Sequence, residues 1–329
     1  MNTGKGLSRF ALDKDLPKLK AENPWLSEVP SQVLQQSLVD LDKAFTNFFR
    51  KTTKFPNFKK KRTDASCRFP QGIKVDFETN IISLPKLGKV KIKLSRKFVG
   101  TIKSCTVSRG STGKFYVSIL VDDGVGEIPK LPIHQDRAIG VDVGLIDFIT
   151  TSKGEKVKAP KFYRGLETKL KEAQRFESRK KKGSNNRKKA RQRVNLIHEK
   201  IKNLRSDFLH KTSTRLVNEN QVICIEDLNV KGMMKNRKLS KSIGDVGWSE
   251  FFRMLEYKSE KVGKTVLKIN RFQPSSKICS CGEVNKILTL SDRKWTCSNC
   301  NLTHDRDVLA AQNILKFAFL ENLTRRDTA

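Results

Sequence analysis

The alternation of apolar and polar positions divides the chain into segments of different secondary structure. From Ser31 to Arg50, apolar residues recur at steps of three and four, which is the spacing of an amphipathic helix. Residues 89–95, 101–108 and 114–122 instead alternate apolar with polar side chains and are separated by glycine and serine, which indicates β-strands. The basic residues on the polar face of these strands fit either a solvated sheet or a small barrel that follows a nucleic-acid backbone.

The second half of the chain has the pattern of strands that alternate with long helices. Residues 137–157 contain an apolar strand, a tight return and a second strand, and residues 221–230 and 264–271 each contain one more strand pattern. Two basic helices joined by a Gly-Ser-Asn-Asn turn are predicted within residues 163–219, and a further helix is predicted over residues 248–263. This order is typical of an α/β domain with a mixed sheet.

The charge of the chain points to a polyanionic partner. Among 329 residues, 67 Lys and Arg face 34 Asp and Glu, which gives a formal net charge of +33. Nucleic-acid phosphates convert such self-repulsion into binding energy through counterion release, whereas a small-molecule substrate does not. We find no apolar run of about 18 residues and no signal pattern, so no membrane partner is expected.

The basic side chains are densest on the predicted helical hairpin. A charge run by itself is usually a solvated face, but this density on a helical hairpin favours a surface that faces phosphates. The predicted nucleic-acid contacts are Arg179, Lys180, Lys181, Lys182, Arg187, Lys188, Lys189 and Arg191.

Three acidic residues in the second half have no obvious partner in the sequence. Asp142 interrupts an apolar strand, Glu226 closes another, and Asp307 begins the last predicted helix. Each of them alone is best explained as a turn cap, a strand end or a helix cap. Together, on a strongly basic chain, the carboxylates predict a Mg²⁺ centre that cuts phosphodiesters. Asp305 competes for the third position, and we predict that it caps the helix instead.

Four of the seven cysteines cluster near the C-terminus. Cys297 and Cys300 have the spacing of a zinc knuckle, and Cys279 and Cys281 lie upstream of them. Four thiolates in so short a segment predict a structural Zn²⁺ site, because the segment has little core of its own. The Cys279–Cys281 pair has one intervening residue where a standard knuckle has two. The site is therefore expected either to be weakened or to recruit another ligand such as His304.

These motifs, in this order, resemble the TnpB (OrfB) family of transposon-encoded proteins, which is related to the type V CRISPR effectors. The order of the acids, with Glu second and Asp last, is similar to the RuvC arrangement of the RNase H fold. The resemblance covers most of the chain. It is carried by GVDVG (140–144), the basic stretch 178–191, IEDLNVKGMM (225–234), GDVGWSEF (244–251), QPSSKICSCG (273–282) and HDRDVLAAQNIL (304–315).

The resemblance implies a multidomain α+β fold. Its expected parts are a REC-like helical segment at 1–65, a WED-like β-barrel at 66–128, an RNase H-like (RuvC) nuclease domain at 129–273 with the basic hairpin at 163–219, an inserted zinc ribbon at 274–303, and the RuvC C-terminal helix and tail at 304–329. The family usually begins with a further strand-and-helix stretch, so we expect an N-terminally shortened member. Leu309 stands where the family typically has Asn.

The resemblance also implies a function. It predicts a Mg²⁺-dependent endonuclease, encoded by a transposon, that uses a transposon-derived guide RNA to cut double-stranded DNA in the cytoplasm of a prokaryote, at the nucleoid. Asp142, Glu226 and Asp307 inherit the catalytic and magnesium-binding roles. The zinc ligands are Cys279, Cys281, Cys297 and Cys300. The alternatives are a nuclease-impaired, decayed copy that acts only as an RNA- and DNA-binding protein or repressor, and a general nucleic-acid-binding zinc protein without a guide.

Overall fold

The computed structural model describes residues 9–58, 65–289 and 291–327, with side chains through Glu321. It divides the chain into two compact units, Met1–Gly126 and Glu127–Ala329. Residues 1–8 and 59–64 of the predicted helical segment lie outside the described residues. Within the described residues, no helix is long and apolar enough to cross a lipid bilayer.

The first unit begins with helices and continues as strands. Helix α1 spans Arg9–Glu22, a 3₁₀ turn spans Pro24–Glu28, and α2 spans Ser31–Phe49, which confirms the helix predicted at Ser31–Arg50. The apolar pattern did not predict helix α1 within the expected helical segment 1–65, because its sequence contains Pro17 and has no apolar stripe. The strands are β1 (Ala65–Phe69), β2 (Lys74–Asp76), β3 (Ile81–Leu84), β4 (Gly88–Lys91), β5 (Thr101–Arg109) and β6 (Phe115–Asp122).

These strands form two antiparallel sheets in the described residues, ordered β1-β5-β6 and β2-β3-β4. Alternate side chains of both sheets point into one small core, formed by Phe69, Ile82, Leu84 and Cys105, and Val33 of α2 packs against it. The strand predictions at 101–108 and 114–122 are confirmed, whereas the predicted strand 89–95 is wrong beyond Lys91, where β4 ends. The WED-like barrel as such stays a prediction.

The second unit alternates strands and helices, as predicted. Its strands are β7 (Ala138–Val143), β8 (Asp147–Thr151), β9 (Lys156–Lys158), β10 (Val222–Glu226), β11 (Thr265–Ile269), β12 (Lys294–Thr296) and β13 (Thr303–Asp305). Its helices are α3 (Phe162–Ser178), α4 (Asn185–Glu219), α5 (Val230–Met233), α6 (Ser240–Val246), α7 (Trp248–Glu260) and α8 (Arg306–Asp327), with a 3₁₀ turn at Gln135–Arg137.

The main sheet of this unit has the strand order β11-β10-β7-β8-β9. Strand β10 lies parallel to β7 and β11, whereas β8 is antiparallel to β7 and β9 to β8, so the predicted mixed sheet is confirmed. Because side chains alternate across a strand, Ile139 and Val141 pack with α4, α6 and α7 on one face. Ala138 and Cys224 pack with Ile314 of α8 on the other face.

Helix α8 lies unusually close to the central strand β7. A Cβ atom at Gly140 would collide with the carbonyl oxygen of Ala311 in α8, and it would also lie within 3.0 Å of Leu315 Cβ. Only a residue without a side chain permits this approach. Gly140 therefore permits the close approach of β7 to the helix that carries Asp307.

Candidate active site

Two of the predicted acids lie side by side at the ends of parallel strands. The register pairs Cys224 with Gly140 and Ile225 with Val141, so the next pair along the two strands is Glu226 and Asp142. Both acids continue the series of side chains that face α8, because they lie two residues beyond Cys224 and Gly140. The sheet therefore brings together two carboxylates that are far apart in sequence.

The third acid reaches the same place from the opposite direction. Asp307 lies in the first turn of α8, one helical turn (about 6 Å) before Ala311, which contacts Gly140. Asp142 lies two strand residues (about 7 Å) beyond Gly140. The start of α8 thus lies over the end of β7, and the three acids line one cleft of about 580 Å³.

The electrostatics of the cleft disfavour three free negative charges. Burial, followed by the neighbouring carboxylates of Asp307 and Glu226, raises the pKa of Asp142 to about 7. Burial, followed by the Asp227 carboxylate, raises the pKa of Glu226 as well. A bound cation would relieve both the desolvation and the repulsion. The oxygen donors are those that a hard divalent cation such as Mg²⁺ prefers, so this set of side chains fits Mg²⁺.

Two arginines of the cleft were not predicted from the sequence. Arg293 Nη1 lies 3.3 Å from Asp307 Oδ2, and the Arg293 carbonyl accepts a hydrogen bond from the Arg306 backbone N–H at 2.9 Å. Arg306 Nη1 donates to the Thr289 carbonyl at 3.2 Å and also lines the cleft. The two arginines are among 67 Lys and Arg residues in the chain, so neither spacing nor pattern distinguishes them in the sequence.

Asp305 has the structural role that the sequence predicted for it. Its Oδ1 accepts hydrogen bonds from the backbone N–H groups of Asp307 and Val308, both at 3.2 Å, which caps the start of α8. Lys156 of β9 holds the same carboxylate through an ion pair at 2.7 Å. Asp305 is not among the residues that line the cleft.

The four cysteines form one cluster. Their sulfur atoms all lie within 4.8 Å of one another, and within the described residues this is the one group of at least three His, Cys, Asp or Glu side chains so closely spaced. The Cys279–Cys300 and Cys281–Cys297 sulfur pairs are 3.5 and 3.7 Å apart. Four sulfurs around a tetrahedral Zn²⁺ would be about 3.8 Å apart. The short Cys279–Cys281 knuckle therefore still fits a zinc ion.

His304 lies against this cluster without joining the group of four. Its Nε2 is 3.0 Å from Cys279 Sγ, and its ring packs on Trp295 with centroids 5.0 Å apart. His304 is thus placed to orient a cysteine ligand.

The cysteine cluster shares a small core with α8. Buried Leu288 and Trp295 pack with Cys279, Cys297 and Leu309. Leu309 is only 3% exposed, so the residue that departs from the family pattern is an apolar core residue that joins the cysteine segment to the helix carrying Asp307.

The predicted nucleic-acid residues surround the turn between α3 and α4. The apolar side of α4, including Ala190 and Val194, is buried, which leaves most of the basic side chains exposed. The Lys180 ammonium lies 4.2 Å from the centre of the Phe176 ring. Arg191 Nε forms an ion pair with Glu177 at 2.8 Å, and Arg187 Nη1 donates to the Lys180 carbonyl at 3.1 Å. The nucleic-acid contacts of these eight side chains stay a prediction.

Sequence comparisons identify related families. The IS605-type OrfB family, described as a probable transposase, matches residues 123–237, and the Cas12f1-like TNB domain matches residues 248–314. A Streptomyces pristinaespiralis protein named "Putative RNA-guided DNA endonuclease" is 43% identical over 91% of this chain and 74% of its own length. InsQ of Escherichia coli (strain K12), which bears the same designation, is 38% identical over 91% of this chain and 77% of its own length.

A comparison of structures agrees with these relationships at the level of the fold. The Cas12f1 complex with sgRNA and target DNA, solved by cryo-EM, matches 86% of this chain and 71% of the solved chain with a TM-score of 0.52. The two sequences are 15% identical, so this likeness concerns the architecture alone.

Proposed function

Because this chain belongs to the TnpB family of transposon-encoded proteins, we propose that it is an RNA-guided endonuclease that cuts double-stranded DNA in a Mg²⁺-dependent reaction. The relatives named as RNA-guided DNA endonucleases support the reaction class. The transposon supplies the guide RNA, whose free segment pairs with the target strand.

The cleft of the second unit is the observation that carries this proposal. It combines the carboxylates of Asp142, Glu226 and Asp307 on a chain with a net charge of +33. The raised pKa of Asp142 supports a site built to share its negative charge with a cation. A basic chain that concentrates acids in one cleft is suited to cut the polyanion that it binds.

In this proposal Asp142, Glu226 and Asp307 hold Mg²⁺. The bound ion would supply Lewis-acid stabilisation of the charge that develops on the phosphate and would lower the pKa of the attacking water. Arg293 fixes the Asp307 carboxylate through their ion pair. Trp248 and Leu228 form an apolar part of the cleft wall, which lowers the local dielectric and strengthens each charge interaction.

We assign Zn²⁺ to the cysteine cluster, where it has a structural role. Four cysteines complete a tetrahedral set and leave no open position for chemistry. The ion would fix the β12–β13 hairpin and so the position of Arg293 and of the first turn of α8. The basic side chains of the α3–α4 hairpin are proposed to bind the phosphates of RNA or DNA.

The guided part of the proposal is tested by the RNA that the protein carries. The chain is expressed next to its native downstream DNA, purified, and the bound RNA is sequenced. We expect one dominant species with a constant 5′ scaffold and a 3′ end that extends into flanking sequence. A random sample of cellular RNA would reject the guide and favour a general nucleic-acid-binding zinc protein.

The nuclease part is tested with the variant Glu226→Ala in the same complex. Loss of one metal ligand costs about 4 kcal/mol in the transition state, so cutting of matched duplex DNA should slow by ~10³-fold. RNA content and DNA binding should stay at the wild-type level. Cutting that persists in Glu226→Ala would show that the active site lies elsewhere. Wild-type protein that binds its target but never cuts would favour the repressor alternative.

A further inference from the structure

The loop after β11 contributes one wall of the acid-lined cleft, and its sequence Gln-Pro-Ser-Ser-Lys (273–277) has no role in the proposed chemistry. All five residues line the cleft, which Asp142, Glu226 and Asp307 also line. The loop is held in a defined conformation. Asn313 of α8, only 4% exposed, donates from Nδ2 to the carbonyls of Ser275 and Ile278, both at 2.7 Å.

Lys277 is fixed within this loop through its backbone. Its N–H donates to the Pro274 carbonyl at 3.0 Å, and its carbonyl accepts from the Asn285 N–H at 2.9 Å. The residue is partly buried. Within residues 9–58, 65–289 and 291–327, the Lys277 ammonium has no ion-pair or hydrogen-bond partner. The backbone hydrogen bonds therefore fix the Cα of Lys277, while its ammonium group is unpaired.

The other cations that line the cleft are already engaged by the protein. Arg293 pairs with Asp307, and Arg306 donates to carbonyls of the cysteine-bearing segment. The cleft thus presents acids suited to metal ions and one ammonium that no acid neutralises. A phosphodiester strand is a ligand that satisfies both features, because its phosphate oxygens bridge metal ions and accept from an ammonium.

We propose that Lys277 binds a non-bridging phosphate oxygen of the nucleic-acid strand that enters the cleft. The juxtaposition of the pinned Gln273–Lys277 loop, the unpaired ammonium and the three carboxylates supports this role. Lys277 is a substrate-contacting residue that positions the strand. The inference rests on the proposed function in so far as the ligand of the cleft is a nucleic acid.

The test combines lysine variants with strands in which single phosphates are neutral. RNA-loaded wild type, Lys277→Ala and Lys277→Arg are compared, and Lys286→Ala serves as the matched control. Lys286 is an exposed lysine of the same segment that does not line the cleft. The probe is a short labelled DNA strand in Ca²⁺ with one methylphosphonate linkage, moved stepwise along the strand. Binding is measured by anisotropy, and cutting of the corresponding strands is measured in Mg²⁺.

We expect Lys277→Ala to weaken binding about tenfold and to reduce the salt slope by about 0.7, the value for one phosphate contact on a single strand. At one position along the strand, the methylphosphonate linkage should weaken binding to the wild type by the same factor. At that position it should not weaken binding to Lys277→Ala any further. Lys277→Arg should retain that sensitivity. Zinc content and thermal melting should match the wild type in all variants, since no side-chain bond of Lys277 is lost.

The outcomes separate this inference from the proposed function. If wild type cuts guided DNA and Lys277→Ala behaves like Lys286→Ala at every linkage, the inference is overturned and the nuclease stands. If wild type never cuts but one linkage couples to Lys277, the nuclease is rejected and the phosphate contact stands. If wild type neither binds the strand nor cuts, both are rejected.

Discussion

The cysteine cluster and the acid-lined cleft are assembled in opposite ways. The first and the last of the four cysteines, Cys279 and Cys300, are 21 positions apart in the sequence, and tight local turns bring the four together. The three acids come from a strand, a second strand and a helix that are separated by most of the second unit. The first site depends on short-range chain geometry, whereas the second depends on sheet order and helix packing.

The two sites are nevertheless mechanically connected. Leu309 of α8 belongs to the core beneath the cysteines, two residues after Asp307. Arg293, one residue before β12, pairs with Asp307 and accepts a hydrogen bond from the Arg306 backbone. The cysteine cluster therefore supports the start of α8, whereas Asp142 and Glu226 lie on β7 and β10, outside the core beneath the cysteines. We therefore expect substitutions of the cysteines to impair the acid-lined cleft, and substitutions of Asp142 or Glu226 to leave the cysteine cluster intact.

The largest effect is expected from the variant Cys297→Ser, in the cysteine cluster. Zinc binding supplies ~10 kcal/mol or more to the folding of small zinc domains, so loss of one thiolate should release the metal and unfold the segment. Cutting should then fall at least about 100-fold, because Arg293 and the first turn of α8 lose their support. Zinc content is measured by elemental analysis and cutting under single-turnover conditions.

The matched control is Cys67→Ser, which alters a partly buried cysteine outside the cluster. It should keep full zinc content and full cutting. Glu226→Ala should lose cutting but keep its zinc, because a change in the cleft is not expected to affect the cysteine cluster. Wild-type cutting by zinc-free Cys297→Ser would show that the two sites are independent.

The same contrast explains what the sequence could predict. The cysteines were identified from spacing alone, and the sulfur distances confirm that they cluster. Asp142 was a candidate because a charge interrupts an apolar strand. That it lies next to Glu226 follows from the β7–β10 register, which pairs residues over 80 positions apart. The catalytic roles of the acids stay predictions.

Other parts of the site carry no signal in a single sequence. Arg293 and Lys277 are two basic residues in a chain with 67 of them, and only their three-dimensional surroundings distinguish a paired arginine from an unpaired lysine. Gly140 belongs to the GVDVG motif (140–144), but the sequence does not show why a glycine is needed there. The need comes from the Ala311 carbonyl, which lies against β7 once α8 is packed on the sheet. Local chemistry can be predicted from spacing, whereas contacts between distant elements require the fold.

A smaller effect is expected from Leu309→Asn, which introduces the residue that the family typically has. Leu309 is 3% exposed among Leu288, Trp295 and the cysteines. A buried amide there lacks a partner and leaves part of the leucine volume empty, so the free energy of unfolding should fall by about 3 kcal/mol. Zinc release to a chelator should accelerate, and cutting should fall less than in Cys297→Ser.

Leu320→Asn is the control on the same helix, because Leu320 is 50% exposed. It should change the free energy of unfolding by less than about 0.5 kcal/mol. Chemical denaturation followed by circular dichroism measures both variants. Equal stability of Leu309→Asn and wild type would mean that the core beneath the cysteines does not support α8.

The smallest effect is expected from Asp305, and it distinguishes the role of this residue from that of Asp307 at the start of α8. Asp305→Ala removes the cap of α8 and the ion pair with Lys156, so thermal melting should register a loss of about 1 kcal/mol. Asp305→Asn keeps an oxygen that can cap and should recover most of that loss. Cutting should slow less than tenfold in both variants, whereas Asp307→Ala should slow it ~10³-fold as a metal ligand would. If Asp305→Ala is as inactive as Asp307→Ala, the third ligand has been assigned to the wrong aspartate, and the cleft extends to Asp305.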